Sequence, residues 1–365
     1  NGLKPFCDAI GVKIALLTGS SKTAARRIIH EDLVSGALQI IVGTHALLED
    51  KVQFKNLGLA IIDEQHRFGV AQRSKLWKKN EAPPHILVMT ATPIPRTLAM
   101  SVYGDLDISV IDELPAGRKP IKTVHRYDSN RLKVIGFIRD EIAKGRQIYI
   151  VYPLINESET LDFKDLMDGY ASIVRDFPMP NYHVSIVHGQ MKPADKEFEM
   201  QRFVKGETQI MVATTVIEVG VNVPNASVMI IESAERFGLS QLHQLRGRVG
   251  RGSEQSYCIL MTSHKLGENS KTRMETMVNS SDGFEIAEVD LRLRGPGDMM
   301  GTQQSGVLDL KIANIVKDKD ILSLARHWAK KVLGSDPKLT NPKHQPIAQT
   351  YIKMGKYKNI WNYIS

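Results

Sequence analysis

Two adjacent carboxylates, Asp63 and Glu64, stand directly after the apolar run LGLAII at residues 57–62. The run is typical of a buried strand, and side chains that follow the carboxyl end of a parallel strand enter the crevice where ligands bind. Asp63 there suits a Mg²⁺ ion held through water, and Glu64 suits the orientation and deprotonation of an attacking water. Base catalysis of this kind contributes about 10²–10⁴-fold in rate. The competing interpretation is a strand that ends in a solvated Asp-Glu pair.

A second candidate site is the run QLHQLRGRVGRG at residues 241–252. Arg248 and Arg251 are three residues apart, which puts them on one face of a helix or turn, and Gly247 and Gly250 remove bulk beside them. Two guanidiniums in this arrangement suit a γ-phosphate, and an arginine finger contributes roughly 10³–10⁵-fold in phosphoryl transfer. The alternatives are an Arg/Gly stretch that binds RNA or DNA, and a solvated basic turn.

Hydroxyl side chains follow two further apolar runs, in LVMTATPIPRT and in MVATTVIEVGVNVPNA. In the first, Thr90 and Thr92 suit hydrogen bonds to the neighbouring carboxylates, which would sense a nucleotide. In the second, Thr214 and Thr215 suit contacts to a phosphate backbone, and Asn222 suits a ribose or the orientation of an arginine finger. The alternatives are a capped turn before Pro93 and simple packing of a strand on a helix.

The stretch TGSSKT, at residues 18–23, is not predicted to bind phosphate. A P-loop has the pattern Gly-x-x-x-x-Gly-Lys-Ser/Thr, whose glycines let backbone N–H groups wrap the phosphates. Leu16 and Ser21 stand where those glycines belong, and no other part of the chain matches the pattern. We therefore predict a polar turn that leads into a helix.

The elements that position these residues are short apolar runs alternating with amphipathic stretches, a pattern that predicts buried parallel strands joined by crossover helices. A basic segment with Pro and Gly at residues 113–123 predicts a linker, and helical sequence takes over from about residue 265. The predicted fold class is α/β: two parallel-sheet lobes and a small helical carboxyl-terminal module. The predicted strands lie in LQIIVGT, LGLAIIDE, PHILVMTAT, RQIYIVYPL, YHVSIVHG, TQIMVATT, ASVMIIES and SYCILMTS.

Composition sets broad limits on function. The 365 residues carry a formal net charge of +8, which weakly favours a polyanionic partner such as nucleic acid. Two distant cysteines argue against a disulfide framework and for a reducing compartment. We expect no membrane association, because no apolar run reaches membrane-spanning length and no signal peptide opens the chain.

Together these runs resemble the motifs of superfamily 2 helicases in letters, order and spacing, across roughly residues 40 to 255. DEQH resembles motif II, TAT motif III, ATTVIEVGVNVP motif V and QLRGRVGR motif VI. The runs DEQHRFGVAQR, MTATPIPRTLA, ELPAGRKP and DLRLRGPGDMMGTQQSG resemble the bacterial RecG branch-migration helicases in particular. The last of these also resembles a segment that RecG shares with the transcription-repair coupling factor.

The resemblance implies two RecA-like lobes, the first at residues 1–112 and the second at 113–264, and a helical module at 265–365. It implies an ATP-dependent motor that remodels branched DNA, such as stalled forks and Holliday junctions, in recombination and repair. ATP and Mg²⁺ would bind between the lobes, with the carboxylates on one wall and the arginines on the other. His66 and Gln244 would couple the nucleotide to the second lobe.

The resemblance also implies how branched and duplex DNA is held and moved. Backbone and hydroxyl groups at helix starts would contact phosphates, and a carboxyl-terminal helical hairpin would convert motion of the lobes into movement of duplex. The predicted DNA contacts are Thr44, His188, Gly189, Thr214, Thr215, Gln303 and Gln304. Arg292 and Arg294 would link the hairpin to the motif VI helix, although surface salt bridges are the plainer interpretation of both.

The printed residues are expected to begin just after motif Ia of such a protein, without its wedge domain and P-loop. We therefore expect the isolated chain to hydrolyse ATP negligibly, to expose apolar surface in lobe 1 and to self-associate. The whole protein is expected to act as a monomer on DNA in the bacterial cytoplasm, associated with the nucleoid. The alternatives are a duplex translocase like the coupling factor, a non-catalytic nucleic-acid-binding module and an RNA helicase.

Overall fold

The computed structural model describes residues 2–63, 79, 83–90, 109–111, 113, 117–153, 159–214, 223–294 and 318–353. These residues belong to two compact units. The first unit comprises residues 1–91, 300–312 and 324–365, and the second comprises residues 92–299 and 313–323.

The first unit contains two pairs of parallel strands, β1 with β2 and β3 with β4. The apolar run VKIALL forms β1, and the predicted helix after the TGSSKT turn is α2. A short 3₁₀ turn, His45–Leu48, follows β2. The elements are α1 (Lys4–Ala9), β1 (Ile14–Leu17), α2 (Thr23–Ser35), β2 (Ile40–Gly43), β3 (Leu59–Ile62) and β4 (His85–Val88).

The core of the first unit is small. One cluster gathers Leu17, Leu33 and Val52, and a second joins Leu48 to Ile62. Large apolar strand residues remain exposed, namely Leu16, Ile40, Val42, Leu59, Ile61 and Leu87. The prediction that these strands are buried on both faces is therefore wrong for the described part of this unit, because α2 packs on β1 and buries one face only.

The second unit is built on one six-stranded sheet in the order β5-β10-β9-β6-β8-β7, with every neighbouring pair parallel. Strands β8 and β9 are buried along their whole length, and β6 is buried at every position except the half-buried Tyr152, as their apolar runs predict. The predicted parallel α/β architecture is confirmed here. The strands are β5 (Lys122–Tyr127), β6 (Gln147–Tyr152), β7 (Val184–Val187), β8 (Ile210–Thr214), β9 (Ala226–Ile231) and β10 (Tyr257–Thr262).

The sequence analysis misses strand β5, whose first two residues are the last two of the predicted linker at 113–123. Its sequence, KTVHRY, has a single aliphatic residue, so it lacks the apolar run that marks the other strands. Among the described residues it pairs with β10 and lies at the edge of the sheet.

Helices cover both faces of this sheet because successive strand side chains point to opposite faces. On one face α3 and α4 pack against Ile148 and Ile150, and on the other α5 to α8 pack against Tyr149 and Val151. The predicted change to helical sequence near residue 265 is confirmed by the last four helices. The helices of this unit are α3 (Arg131–Ala143), α4 (Glu159–Asp176), α5 (Pro193–Val204), α6 (Leu239–Arg246), α7 (Glu268–Asn279) and α8 (Gly283–Arg294). Two further helices, α9 (Lys319–Ser335) and α10 (Gln345–Lys353), belong largely to the first unit.

Candidate functional site

The two arginines of the run QLHQLRGRVGRG lie after a helix and not on it. Helix α6 ends at Arg246, and the chain then turns through residues 247–252, which we call the arginine loop. Arg248 and Arg251 are both half-buried in this loop. Their spacing therefore places them together through a turn, the second of the two possibilities that the sequence leaves open.

Tyr149 is a buried group whose pKa is affected by the charges of both arginines. It lies on β6, is buried, and packs against Phe203 with the ring centroids 4.9 Å apart. Burial raises the pKa of its phenol to about 12, and the positive charges of Arg248 and Arg251 offset part of that rise. The sequence does not single out this residue, because an aromatic side chain in the middle of an apolar strand is typical of a core position.

The two glycines of the arginine loop have different roles. Gly250 has φ +78°, a left-handed conformation, and a Cβ there would stand 2.9 Å from the side chain of Ile121. Gly247 has φ −67°, and a Cβ there would make ordinary contacts at 3.5 Å with two helix carbonyls. A side chain is therefore strained at Gly250 but meets ordinary contacts at Gly247.

We expect Gly250→Ala to destabilise the second unit by about 1–3 kcal/mol, because the left-handed conformation is strained for alanine and its methyl group crowds Ile121. Gly247→Ala serves as the matched control and is expected to have an effect close to zero. Urea-unfolding midpoints of the two variants, measured on the 365-residue chain, check this pair. Equal losses from both substitutions would contradict the assignment.

Arg246, the last residue of α6, turns inward and is 4% exposed. Its Nη1 donates to the carbonyl oxygens of Met277 at 3.0 Å and Ser280 at 2.8 Å, at the end of α7. Its Nη2 lies 2.9 Å from Nδ1 of His243, one turn back on α6. Because Nη2 can only donate, this ring nitrogen accepts, and His243 is in its neutral form.

Two effects lower the pKa of His243 to about 4. Burial of the ring is the larger cause and the neighbouring charge of Arg246 is the second, while Asp282 opposes both. The imidazole therefore stays neutral at pH 7 and remains available as an acceptor for Arg246.

This pKa shift predicts a pH dependence of stability. Below pH 6.5 the unfolded chain takes up a proton on His243 that the folded protein does not, so stability falls as the pH falls from 6.5 towards 4. Between pH 7.5 and pH 5 we expect a loss of about 2 kcal/mol from this residue. The His243→Gln variant should lack that portion of the loss, which urea unfolding at both pH values measures. Parallel pH profiles for the two proteins would refute it.

Three of the predicted DNA contacts lie at one edge of the sheet. β7 and β8 are parallel neighbours with Val187 opposite Ala213, so His188, Gly189 and Thr214 meet at their carboxyl ends. Lys196 of α5 lies beside them and donates to the carbonyl oxygen of Gly189 at 3.1 Å. Burial, and then the charge of Lys196, lower the pKa of His188. Lys196 is a cation at this edge that the sequence analysis missed.

The accessibility of these groups differs. Gly189 is exposed, but Thr214 is 2% exposed, and its hydroxyl oxygen is buried with no hydrogen-bond partner among the described residues. The backbone of the turn after β7 is therefore the more accessible part of this edge.

In the first unit, predicted site residues again follow strands. Asp63 is exposed directly after β3, and Thr90 is half-buried two residues after β4. β3 and β4 are parallel with Ile62 opposite Val88, so both side chains belong to the same carboxyl edge. Thr44 is exposed at the end of β2. The predicted hydrogen bonding between the carboxylates and the Thr-Ala-Thr run stays a prediction, because Thr90 is the one residue of that run within the described ranges.

The remaining predicted residues divide between exposed positions and undescribed ones. Gln244 is half-buried on α6, and Arg292 is exposed on α8. Arg294 ends α8, and its side chain lies outside the described residues. The residues that lie wholly outside the described ranges are Glu64, His66, Thr92, Thr215, Asn222, Gln303 and Gln304.

Three family models match successive parts of the chain. They are "DEAD/DEAH box helicase" over residues 1–101, "Helicase conserved C-terminal domain" over 131–253, and "ATP-dependent DNA helicase RecG, domain 3, C-terminal" over 280–365. The first two models describe helicases in general, and the third names one type.

Curated relatives narrow the family. The ATP-dependent DNA helicase RecG of Synechocystis sp. is 54% identical over 337 residues, which cover 92% of this chain and 40% of that protein. The RecG of Bacillus subtilis is 48% identical over 344 residues, which cover 94% of this chain and 50% of that protein. The chain belongs to the RecG helicase family. It spans half or less of the length of these two RecG relatives.

Solved structures agree with that assignment. A structure described as RecG bound to a three-way DNA junction is similar to this chain with a TM-score of 0.67 and 40% identity, covering 88% of this chain and 41% of that one. The helicase Lhr of Mycobacterium smegmatis is 17% identical with a TM-score of 0.51, covering 75% of this chain and 39% of that one, and shares the fold alone. The predicted RecA-like fold class is confirmed.

The assignment of α6 and the arginine loop to motif VI, and of the end of β8 to the start of motif V, stays a prediction. RecG relatives depend on ATP, as their names state. In the described part of the chain, no helix is both long and apolar enough to cross a bilayer.

Proposed function

We propose that this chain forms the motor part of an ATP-dependent DNA helicase that remodels branched DNA in recombination and repair. The observation that carries the proposal is the similarity to RecG bound to a three-way DNA junction, at 40% identity over 88% of the chain. Stalled replication forks and Holliday junctions are branched DNA of the same class. The lobes that we propose are residues 1–112 and 113–264, followed by the helical module 265–365, and the successive family-model matches support this division.

We assign ATP hydrolysis to four side chains. Asp63 holds Mg²⁺ through water, a role that suits an exposed carboxylate at the end of a strand because Mg²⁺ keeps several of its waters in proteins. Glu64 accepts a proton from the attacking water. Arg248 and Arg251 stabilise the charge that develops on the transferred phosphoryl group, and Mg²⁺ supplies further stabilisation of that charge.

We assign nucleotide coupling to residues around these four. Thr90 and Thr92 report the state of the carboxylates through hydrogen bonds, and His66, Asn222 and Gln244 relay it to the second lobe. The common carboxyl edge of Asp63 and Thr90 supports the first part of this assignment.

DNA contacts are proposed at the carboxyl edges of the strands. In the second unit the turn after β7, with Gly189 exposed and Lys196 beside it, binds a DNA phosphate through backbone N–H groups and a cation. Thr44 in the first unit, Thr214 and Thr215 after β8, and Gln303 and Gln304 provide further contacts. Contacts of this kind go to phosphates, so they give affinity without sequence preference.

A second candidate applies to the 365 residues alone, which would be a DNA-binding module without turnover. The observation that favours it is that the printed sequence contains no P-loop pattern. Leu59 and Ile61 are both more than half exposed, so we also expect the isolated chain to self-associate. A location with the bacterial nucleoid and monomeric action of a longer protein remain predictions.

DNA-stimulated ATP hydrolysis tests the proposed function. We compare the 365-residue chain with an extended protein, in which the chain is joined to an upstream region that carries a P-loop. Only the extended protein is expected to turn over, with branched DNA stimulating more than linear duplex and Glu64→Gln reducing the rate by about 10²–10⁴-fold. Greater stimulation by linear duplex would favour a translocase like the coupling factor, and stimulation by RNA would favour an RNA helicase. The assignment would be overturned if no nucleic acid stimulated ATP hydrolysis by the extended protein.

A further inference from the structure

A pair of exposed aromatic rings lies at the carboxyl ends of β5 and β10. The two strands are parallel neighbours with Tyr127 opposite Thr262, and His264 follows two residues after the end of β10. The rings of Tyr127 and His264 are stacked, with centroids 4.9 Å apart and an angle of 14° between their planes. Tyr127 is 38% exposed, and His264 is exposed as well. We call this pair the aromatic platform, because it presents ring surface to solvent and not to a core.

Contacts on β5 and β10 hold the tyrosine ring in place. His125 lies on the same face of β5 and meets Tyr127 edge-on, with ring centroids 4.8 Å apart. Nε2 of His125 lies 2.7 Å from the hydroxyl of Thr262, which donates its own proton to the carbonyl oxygen of Ser263 at 3.1 Å. Nε2 is therefore the donor to that hydroxyl. Burial is the largest cause that lowers the pKa of His125, so the ring is neutral and its orientation is fixed.

The backbone that presents His264 is also held. Oε1 of Glu235 accepts from the N–H of Ser263 at 3.3 Å, and Nη2 of Arg273 on α7 donates to the carbonyl oxygen of Glu235 at 3.0 Å. Ser263 is thus engaged through both its N–H and its carbonyl group, directly before His264. A ring on a backbone that is already held loses less freedom when a ligand stacks on it, so more of the stacking energy remains for binding.

The charges around the platform favour a polyanion. Arg126 and Lys265 adjoin its two residues in the chain, both are exposed, and neither forms an ion pair among the described residues. The carboxylates of Asp128 and Glu268 are each paired with a basic side chain, at 3.0 and 2.8 Å, and Glu235 is half-buried. Aromatic rings between exposed cations are typical of surfaces that bind single-stranded nucleic acid, through stacking on bases and attraction for phosphates.

The position of the platform separates it from the arginine loop. A Cβ on Gly250 of that loop would stand 2.9 Å from Ile121, directly before β5, and Tyr127 lies six residues further along, about 20 Å in an extended strand. The predicted phosphate contacts His188 and Gly189 lie instead at the same carboxyl edge as the platform. Five strand spacings, about 24 Å, separate β5 from β7 along that edge. A single strand of DNA along the edge would meet both.

We propose that the aromatic platform stacks an unpaired base of a DNA strand that runs along the carboxyl edge of the sheet. The base continues the stack on the exposed ring of His264, while Arg126 and Lys265 attract the neighbouring phosphates. Stacking of this kind is indifferent to base identity, because every base has a π-face. The inference rests on the proposed function, since it takes as its ligand a branched DNA that carries unpaired bases.

Fluorescence anisotropy on the 365-residue chain separates base stacking from phosphate binding. The probes are a labelled oligothymidine and an oligomer of equal length that has the same phosphates but no bases. His264→Ala is expected to weaken binding of the oligothymidine by about tenfold, the size of one base stacked on an aromatic ring, and to leave binding of the abasic oligomer unchanged. Lys265→Gln should weaken binding of both probes alike, because it removes a cation that attracts phosphate. His327→Ala, an exposed histidine beside Trp328 on α9, is the matched control and should change neither.

A 2-aminopurine base placed in the oligothymidine gives a second readout, because its fluorescence falls when it stacks. The fall should occur with wild type and be absent with His264→Ala, and His264→Trp should restore it. Equal Tm values of wild type and His264→Ala exclude unfolding as the cause.

The outcomes distinguish this inference from the proposed function. Unchanged binding of oligothymidine by His264→Ala, or an equal loss for both probes, would overturn the inference. If the wild-type chain binds branched DNA but binds oligothymidine no more tightly than the abasic oligomer, the inference alone fails. If it binds neither single-stranded nor branched DNA, the proposed function fails as well.

Discussion

Replacing Arg251 with glutamine is expected to lower kcat for DNA-stimulated ATP hydrolysis in the extended protein by about 10³-fold or more, and Arg248→Gln should act in the same direction. The guanidiniums stabilise charge that grows as the phosphoryl group is transferred, so the loss falls on kcat more than on KM. Steady-state kinetics over a range of ATP concentrations, at saturating branched DNA, measure both constants.

The environment of the two arginines in the structure, and a control substitution, bear on this expectation. Arg248 and Arg251 are both half-buried in the arginine loop, and the charges of both lower the pKa of the Tyr149 phenol. The matched control is Arg175→Gln, which also replaces an arginine but on the exposed surface of α4. If both Arg248→Gln and Arg251→Gln lower kcat by less than tenfold, the arginine loop does not take part in ATP hydrolysis.

The second large effect concerns stability and the ion pair between Arg131 and Glu232. Arg131→Met is expected to destabilise the second unit by about 3 kcal/mol, because it leaves the Glu232 carboxylate without its charged partner. For a unit of this size the loss corresponds to a fall in Tm of about 6–12 °C. Thermal unfolding of the 365-residue chain at pH 7 measures it.

The geometry explains why this pair differs from surface pairs. Arg131 begins α3 and Glu232 follows β9, and two parallel hydrogen bonds of 2.7 and 2.8 Å join guanidinium to carboxylate. The Glu232 side chain is 7% exposed and that of Arg131 is 41% exposed, so water reaches one partner only. Hydrogen bonding to Glu232 is the largest cause that raises the pKa of Arg131. The partial exposure of Arg131 is the reason for taking the lower end of the range for buried pairs.

A surface ion pair provides the control. Lys271 and Glu268 on α7 are 2.8 Å apart with both side chains at least half exposed, so Lys271→Met should leave the free energy of unfolding almost unchanged. The double variant Arg131→Met, Glu232→Met should recover part of the loss, since it leaves no buried charge unpaired. Equal losses of stability from Arg131→Met and Lys271→Met would show that the buried pair stabilises the protein no more than the surface pair does.

The sequence predicts the strands of the second unit well because each depends on a local property. Runs such as IYIV and VMII are apolar at every position, and only a position between two covered faces suits them. Strand β5 escapes prediction for the opposite reason. Its KTVHRY sequence has no local signature, and its place is decided by pairing with β10, more than 130 residues away in the chain.

The candidate site divides in the same way. Carboxylates, hydroxyls and arginines at the ends of apolar runs can be recognised as candidate site residues from their type and spacing. Asp63, Thr90 and Arg251 are therefore found from the sequence. Tyr149, His243 and Lys196 are not, because each matters through a neighbour that is distant in sequence or through burial that no local pattern reveals.

The sequence by itself determined the family, the parallel α/β fold and the residue types of motif VI, because these depend on local patterns and on similarity to relatives. Only the tertiary structure decided that α6 ends at Arg246, that Arg248 and Arg251 project from a turn, and that Gly250 but not Gly247 is required there. It also decided which arginine of QLRGRVGR faces the core. Three arginines in one short run look alike in sequence, and they differ because the carbonyl groups at the end of α7 lie within reach of Arg246.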